Sequence, residues 1–163
     1  MALLTIREIG DPILNKKTKE VKEMTPRLQE LIDDMLETMY DACGVGLAAP
    51  QVGILKKIVV IDISEEQNEP LVFINPQIVE SSGEQTGYEG CLSVPGKSGV
   101  VTRPNYVKAV AYDRNLKPFE FEGTELMARA MCHEFDHLDG KLYVELAEGG
   151  LIDNEELMEN NEE

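Results

Sequence analysis

The sequence predicts an α+β fold, in which short antiparallel or mixed β-sheets pack around a central helix that carries the motif HEFDH, with a second helix near the N-terminus. Two segments with helical periodicity lie towards opposite ends of the chain. Short β-rich runs separated by turn signals lie between them, without the long helices that connect parallel strands. The 163 residues are enough for one domain with a buried core, which we place at residues 1–148.

The N-terminal helix is predicted from its cap and from its apolar spacing. Thr25 has a side chain suited to the N-cap, and Pro26 suits the first helical position. Apolar residues then recur at helical spacing: Leu28, Leu31, Ile32, Met35 and Met39. We therefore expect a helix from about Thr25 to Tyr40.

β-Strands are predicted from Lys57 onward, after the glycine-dense stretch CGVGLAAPQVG. The β-rich runs are KIVVIDI, LVFINPQIVE, SGVVTRP, YVKAVAYD and PFEFE. Turn signals separate them, such as Asn75-Pro76, Pro95-Gly96 and Asp113-Arg114-Asn115. Because the connections are short, we expect antiparallel or mixed pairing.

The second helix is predicted to begin after Gly123, with Thr124 as its N-cap and Glu125 in its first turn. It should end near Leu138, because Gly140 stands where a glycine commonly terminates a helix. One stripe of this helix consists of Leu126, Ala130, His133 and His137. Apart from its histidines this stripe is apolar, so we expect it to face the interior.

Both histidines of the chain lie in HEFDH, which fits the pattern H-E-x-x-H. Residues four apart on a helix stack on one face, so His133 and His137 can direct ring nitrogens at one metal ion. Glu134 lies about 100° round the helix from His133, beside such an ion rather than on it. This position suits a base that activates water, so the motif predicts a catalytic metal site.

A catalytic site of this kind takes three protein ligands, and the residues offer four sources for the third. Tyr143 stands where a longer metallopeptidase motif has its last histidine, and tyrosine is a poor ligand. Glu155 has the spacing of a thermolysin-like ligand but lies near the acidic end of the chain. Cys132 adjoins His133 and points away from its face. Cys91, in YEGCLSVPG, is the source that remains.

The formal net charge of −16 argues against direct binding to nucleic acid, which requires basic patches. No lysine or arginine follows Lys141, so we predict that residues 149–163 form a solvated acidic tail. No apolar run is long enough to cross a membrane. Three cysteines and an N-terminus without a signal peptide favour a reducing compartment, and we expect the cytoplasm.

Three motifs stand in order along the chain: GVGLAAPQ at Gly44–Gln51, EGCLS at Glu89–Ser93 and HEFDH at His133–His137. Together they resemble the motifs of the peptide deformylases, and the resemblance extends over essentially the whole chain. Each motif alone is weak, whereas the three in this order are highly specific. The sequence departs from the family pattern at Cys132, where members commonly have glutamine, and in its acidic C-terminal extension.

The resemblance implies the ligand set and the metal. Cys91, His133 and His137 would hold the ion, which leaves a fourth position for water. Fe²⁺ would be the working ion, and the same ligands accept Zn²⁺, Ni²⁺ or Co²⁺. A thiolate ligand would also make the site sensitive to oxygen.

The implied reaction removes the formyl group from the N-terminal formyl-methionine of new polypeptides and releases formate. Glu134 would act first as a base and then as an acid. The tetrahedral oxyanion needs hydrogen-bond donors, and the resemblance assigns the Gln51 side-chain amide and the Leu92 backbone N–H to this role.

The resemblance also implies an extended substrate that lies in the site like an added strand. The substrate-binding residues would be Gly44, Val45 and Gly46 on one side and Gly90 on the facing strand, with Leu126 and Ala130 near the methionine side chain. The implied partners are N-formylmethionyl peptides and nascent chains. Any association with ribosomes should not use the acidic tail.

Two other functions remain open at this point. A thermolysin-like metalloendopeptidase would use the same H-E-x-x-H motif, with Glu155 as third ligand. A non-catalytic structural metal module would need a fourth ligand, for which Cys43 and Cys132 are the remaining thiols. Such a closed site would leave Glu134 and Gln51 without a chemical role.

Overall fold

The computed structural model describes residues 3–155, and in this part of the chain eight strands form two sheets. The strands are β1 (Gly46–Ala48), β2 (Ile58–Ile61), β3 (Leu71–Ser82), β4 (Gln85–Cys91), β5 (Val94–Arg103), β6 (Tyr106–Tyr112), β7 (Pro118–Thr124) and β8 (Glu148–Asp153). The α-helices are α1 (Pro26–Asp41) and α2 (Leu126–Leu138). Short 3₁₀ helices cover Pro12–Asn15, Ala49–Val52 and Tyr143–Glu145. The predicted α+β class is confirmed.

The two sheets meet at the helix that carries HEFDH. The larger sheet has the order β1-β2-β3-β6-β7, and the smaller has the order β4-β5-β8. Every neighbouring pair in both sheets is antiparallel. Helix α2 packs against the larger sheet and also contacts β5 of the smaller one. β1 and β4 are each an edge strand of their sheet.

Strand β2 shows how the larger sheet is covered by a helix on each face. Successive side chains of a strand point to opposite faces, so Ile58 and Val60 lie on one face and Val59 and Ile61 on the other. The first pair shares a buried cluster with the α1 residues Ile32, Met35 and Met39, and the second with the α2 residues Ala128, Met131 and Phe135. All four β2 side chains are fully buried. Each contributes about 1.5–3 kcal/mol of stabilisation, which explains the continuous apolar run.

Two predicted helix ends agree with the structure. The Thr25 hydroxyl accepts a hydrogen bond from the Leu28 N–H at 3.2 Å and caps α1. Gly140, just beyond the end of α2, has a φ of 76°. A Cβ at Gly140 would lie 2.5 Å from the carbonyl oxygen of Asn15, so only glycine fits there.

The predicted start of α2 is wrong. Thr124 is not the N-cap, because it is the last residue of β7 and pairs with Tyr106. Glu125 takes the N-cap position with a φ of 53°, and its N–H donates to the carbonyl oxygen of Asn105 at 3.0 Å. Strand pairing therefore determines this boundary, and the local capping preference of threonine does not.

Three strands were not foreseen from the sequence: β1, β4 and β8. Strand β8 pairs with the edge of β5, with Leu151 opposite Gly99, so residues 149–153 of the predicted tail form part of a strand, although residues 149–151 are exposed. The boundary at residue 148 stays a prediction, and residues 156–163 lie outside the described part of the chain. No helix within residues 3–155 has the length and the apolar character needed to cross a membrane.

Candidate metal centre

Helix α2 brings its two histidines to one point in the interior. His133 is 6% exposed and His137 is 1% exposed, and their ring centroids lie 5.1 Å apart. Cys91 lies beside them, with its Sγ 3.4 Å from the Nε2 of His137. One ligand atom from each of the three residues lies within 4.8 Å of the others. The structure thus brings together the three residues predicted as ligands, and one thiolate with two imidazoles fits a divalent transition-metal ion.

Strand β4 directs two side chains at these histidines. Glu89 and Cys91 are two residues apart, so regular pleating points both to the same face. Glu89 pairs in register with Gly99, and the register then shifts so that Cys91 lies opposite Val94. Irregularities of this kind commonly re-aim a side chain next to a functional site.

The ring of His133 is oriented by Glu89. The Nδ1 of His133 lies 2.7 Å from Oε1 of Glu89. Burial alone would raise the pKa of Glu89, but hydrogen bonds from His133 and Arg103 lower this pKa to about 2. The ionised carboxylate holds the Nδ1 proton, so Nε2 is the ring atom directed at the metal site. Although burial acts to lower the pKa of His133, the charge of Glu134 raises it well above its usual value, so a bound metal ion would displace a proton from Nε2. This role of Glu89 was not predicted from the sequence.

His137 is held in its neutral form. Burial lowers the pKa of His137 to about 3, and the neighbouring His133 acts in the same direction. The neutral imidazole is the form that binds a metal ion, so the ring needs no proton release before it acts as a ligand.

Glu134 lies beside the three ligand atoms rather than among them. Its Oε2 is 4.0 Å from Nε2 of His133, and its Oε1 is 4.0 Å from Nε2 of His137. Burial raises the pKa of Glu134 to about 7, although His133 acts to lower it. A carboxyl group with a pKa near neutrality can both take up and return a proton.

The glycines of GVGLAAPQ make room for side chains of the protein itself. A Cβ at Gly46 would lie 2.5 Å from Oε2 of Glu134, and a Cβ at Gly44 would lie 2.7 Å from Cδ1 of Leu92. Because position 46 is a glycine, β1 approaches Glu134 more closely than it could with any other residue at that position. These glycines were predicted to contact only the substrate, because their contacts within the protein are with residues distant in sequence.

Gln51 presents its amide nitrogen to the site. Its Oε1 accepts a hydrogen bond from the Ala48 N–H at 2.9 Å, which fixes the orientation of the amide. Its Nε2 donates to the hydroxyl of Ser93 at 3.0 Å and lies 3.4 Å from Sγ of Cys91. The neighbouring Leu92 follows Cys91 directly, so its backbone N–H lies at the same end of β4.

The ligand atoms open into a cleft of about 370 Å³. The lining includes most of the residues predicted for substrate and catalysis, namely Gly44, Val45, Gly46, Gln51, Gly90, Leu92 and Glu134. Leu126 and Ala130 are not part of this lining: the Leu126 side chain is 51% exposed, and Ala130 is buried in the core against the larger sheet. Asn154 also lines the cleft. This contact was not predicted, because Asn154 falls in the predicted tail.

The competing ligands lie elsewhere. Glu155 is exposed and does not belong to the cluster of ligand atoms. Cys132 is buried, and burial raises the pKa of its thiol to about 11, which disfavours the thiolate that binds metal. Cys43 is exposed on the rim of the cleft.

The chain is similar in sequence to known proteins. The sequence profile of the family described as polypeptide deformylase matches residues 3–149. The chain is 66% identical over 149 residues to the peptide deformylase of Lachnoclostridium phytofermentans, covering 91% of each chain. It is also 66% identical over 153 residues to the peptide deformylase of Agathobacter rectalis, covering 94% of this chain and 95% of the relative.

Solved structures share the fold. The crystal structure of a peptide deformylase from Legionella pneumophila matches with a TM-score of 0.88 at 47% identity, covering 91% of this chain and 88% of that one. The structure of the peptide deformylase from Synechococcus elongatus in complex with actinonin matches with a TM-score of 0.87 at 43% identity. The match covers 90% of this chain and 81% of that one.

Proposed function

This chain belongs to the polypeptide deformylase family, and we propose that Cys91, His133 and His137 hold the metal ion on which its activity depends. The protein is a hydrolase that removes the N-formyl group from newly synthesised polypeptides. The observation that carries the proposed site is the convergence of three ligand atoms within 4.8 Å, with the carboxylate of Glu134 4.0 Å from both imidazole Nε2 atoms.

We propose Fe²⁺ as the working ion, with Zn²⁺, Ni²⁺ and Co²⁺ as ions that the same ligands accept. The donor set supports this assignment, because thiolate and imidazole together suit these borderline ions better than they suit Mg²⁺ or Ca²⁺. When bound, such an ion lowers the pKa of a water molecule towards neutrality and polarises the formyl carbonyl.

Glu134 carries the proton in the proposed reaction. One of its carboxylate oxygens accepts a proton from the attacking water, whose oxygen then bonds to the formyl carbon. The same carboxyl group returns the proton to the nitrogen of the leaving peptide as the C–N bond breaks. The products are formate and a free amino group. Gly46 supports this role, because its lack of a side chain leaves the space that the carboxylate occupies.

Gln51 and Leu92 stabilise the oxyanion in the proposed reaction. The Gln51 amide is oriented before substrate arrives, since its oxygen is already bonded to the Ala48 N–H. Its nitrogen and the Leu92 N–H would donate to the oxygen that develops negative charge. Donors oriented in advance favour the transition state, since they need no rearrangement during the reaction.

The peptide substrate would bind between two edge strands. β1 ends the larger sheet and β4 ends the smaller one, and both contribute to the lining of the cleft. An extended peptide can pair with Val45 and Gly46 on one side and with Gly90 on the other. We retain Leu126 and Ala130 as the proposed contacts of the methionine side chain, which would lie beyond the described cleft along α2.

We propose that the enzyme works in the cytoplasm, because a thiolate ligand at Cys91 requires a reducing compartment. The net charge of −16 supports a further proposal, that the protein makes no direct contact with nucleic acid. Any association with ribosomes would therefore use a surface other than the acidic C-terminal segment.

Acyl selectivity tests the proposed function. We expect formyl-Met-Ala-Ser to be cleaved at least about 10²-fold faster, by kcat/KM, than acetyl-Met-Ala-Ser. The acetyl methyl group would lie between Gln51, Leu92 and the attacking water, and a displacement of about 1 Å in the reacting atoms costs roughly 10²-fold in rate. Mass spectrometry of one digest with both peptides measures the ratio. Equal loss of the two acyl groups, or internal fragments from longer peptides, would contradict the proposal.

Truncation after Glu148 tests the role of the C-terminal segment. We expect the shortened protein to keep its metal and most of its activity, because all three proposed ligands precede β8 and Glu155 is not among them. Elemental analysis and formate release check this expectation. Loss of metal would favour Glu155 as a ligand, and co-sedimentation of ribosomes with the full chain but not with the truncated one would refute the proposed independence from this segment.

A further inference from the structure

Arg129 is a buried arginine on α2, one turn before His133. It takes no part in the proposed reaction itself. It is 7% exposed, and its guanidinium faces the smaller sheet. Its Nη1 donates to Oε2 of Glu89 at 2.6 Å and to the carbonyl oxygen of Val101 at 3.1 Å. It also lies 3.5 Å from the carbonyl oxygen of Gly87. Arg129 therefore joins α2 to both β4 and β5.

The carboxylate that Arg129 contacts is the one that orients His133. Oε1 of Glu89 lies 2.7 Å from Nδ1 of His133, and Oε2 accepts from Arg129. Arg103, on β5, donates to both oxygens at 2.9 Å. It also donates to Asp136 on α2 at 2.8 Å. The contacts form a closed circuit from α2 through β4 and β5 and back to α2.

The four charged groups of this circuit balance. Two arginines face two carboxylates, and three of the four residues are buried. Removal of one member of such a buried network leaves an uncompensated charge, which costs far more than the loss of an exposed ion pair. The remaining groups would have to shift, and Glu89 is the one that both arginines share.

We propose that Arg129 is a positioning residue for the metal centre, through its hold on Glu89 and on the strand that ends in Cys91. The inference rests on the proposed ligand set. α2 supplies the two histidines and β4 supplies the thiol, so the spacing of the three ligand atoms depends on how these two elements are held together. Arg129 links the two elements directly, through its ion pair with Glu89, the carboxylate that orients the ring of His133.

Lysine would not replace this arginine. A guanidinium presents several N–H groups in a fixed plane, and here it reaches a carboxylate and carbonyl oxygens of two strands at once. An ammonium group is a single point on a flexible chain, so it would keep the charge and lose most of the geometry. Arg129→Lys therefore keeps the positive charge but loses the positioning contacts, whereas Arg129→Met loses both.

The test compares metal affinity in Arg129→Lys, Arg129→Met and Arg114→Met. Arg114 is the control, since it too forms an ion pair, with Asp33 on α1 at 2.8 Å, but contacts none of the proposed ligands. The dissociation constant for Zn²⁺ is measured by competition with a chelator. We expect it to rise by about 10-fold in Arg129→Lys and by up to about 100-fold in Arg129→Met. Arg114→Met should match the parent.

A second measurement reports on the hydrogen bond that orients His133 and does not depend on enzyme activity. In the metal-free protein, ¹⁵N chemical shifts of the imidazole nitrogens follow the hydrogen bond at Nδ1 of His133. We expect Arg129→Lys to move the His133 signals, whereas Arg114→Met leaves them in place. This comparison remains decisive if Arg129→Met does not fold.

A double-mutant cycle with Glu89→Gln shows whether Arg129 acts through Glu89. If it does, Arg129→Met should change the Zn²⁺ affinity much less in the Glu89→Gln background than in the parent. If Arg129→Met changes the Zn²⁺ affinity by the same factor in both backgrounds, within about twofold, the inference is refuted. Unchanged Zn²⁺ affinity in both Arg129 variants would refute it as well. Failure of the ligand assignment itself would appear differently, as metal retained by Cys91→Ala.

Discussion

Replacement of Cys91 by alanine is expected to abolish tight metal binding, whereas Cys43→Ala and Cys132→Ala should retain the metal. The Sγ of Cys91 lies 3.4 Å from Nε2 of His137, within the cluster of ligand atoms. Its removal leaves two imidazoles, which do not complete a catalytic site of three protein ligands. Formate release should fall to background together with the metal content.

Elemental analysis of the three purified variants measures this result. Cys132→Ala is the stricter control, because Cys132 is a buried thiol that adjoins His133 in sequence. Cys43→Ala controls for the loss of a thiol at the cleft. Equal metal content in Cys91→Ala and the parent would overturn the ligand assignment.

Glu134→Ala is expected to retain the metal and to lower kcat/KM by about 10²–10⁴-fold, the usual contribution of general acid–base catalysis. The carboxylate oxygens of Glu134 lie 4.0 Å from the Nε2 atoms of both histidines, beside the proposed ligand atoms, so Glu134 is not needed to hold the ion. In the proposed reaction, its loss removes the group that takes a proton from water and returns it to the leaving amine.

Metal content and steady-state kinetics of the same preparation separate the two effects. Glu120→Ala is a suitable control, because Glu120 is an exposed glutamate on β7 that forms an ion pair with Lys108 at 3.5 Å. A loss of activity under about tenfold in Glu134→Ala would remove the proposed proton transfer. Loss of the metal would instead make Glu134 a ligand.

Much of the architecture was predictable because its signals are local. The cap at Thr25 and the apolar spacing after it depend only on neighbouring residues, and the helix begins at Pro26. The strands with apolar or β-branched runs were recognised in the same way. β4 was missed because QTGYEGC contains two glycines and no apolar run, and it becomes a strand by pairing with β5.

Two differences between the predicted and the observed elements, the start of α2 and strand β8, have a tertiary cause. Thr124 has a good capping side chain, but its backbone pairs with Tyr106, so the helix begins later. The predicted acidic tail contains β8 because the edge of β5 offers unpaired backbone groups, and Leu151 can pack over Gly99. Neither interaction can be detected in a local pattern of charges or caps.

The sequence by itself determined the relation of His133, Glu134 and His137, because all three lie within little more than one turn of a single helix, whose geometry is constant. Only the tertiary structure decided which side chains complete the site. Cys91 precedes His137 by 46 positions, and Glu89 precedes His133 by 44. Their approach depends on how β4 docks against α2, and Arg103 and Arg129 hold that contact. Such contacts follow from the packing of whole elements, so no spacing rule within one segment can specify them.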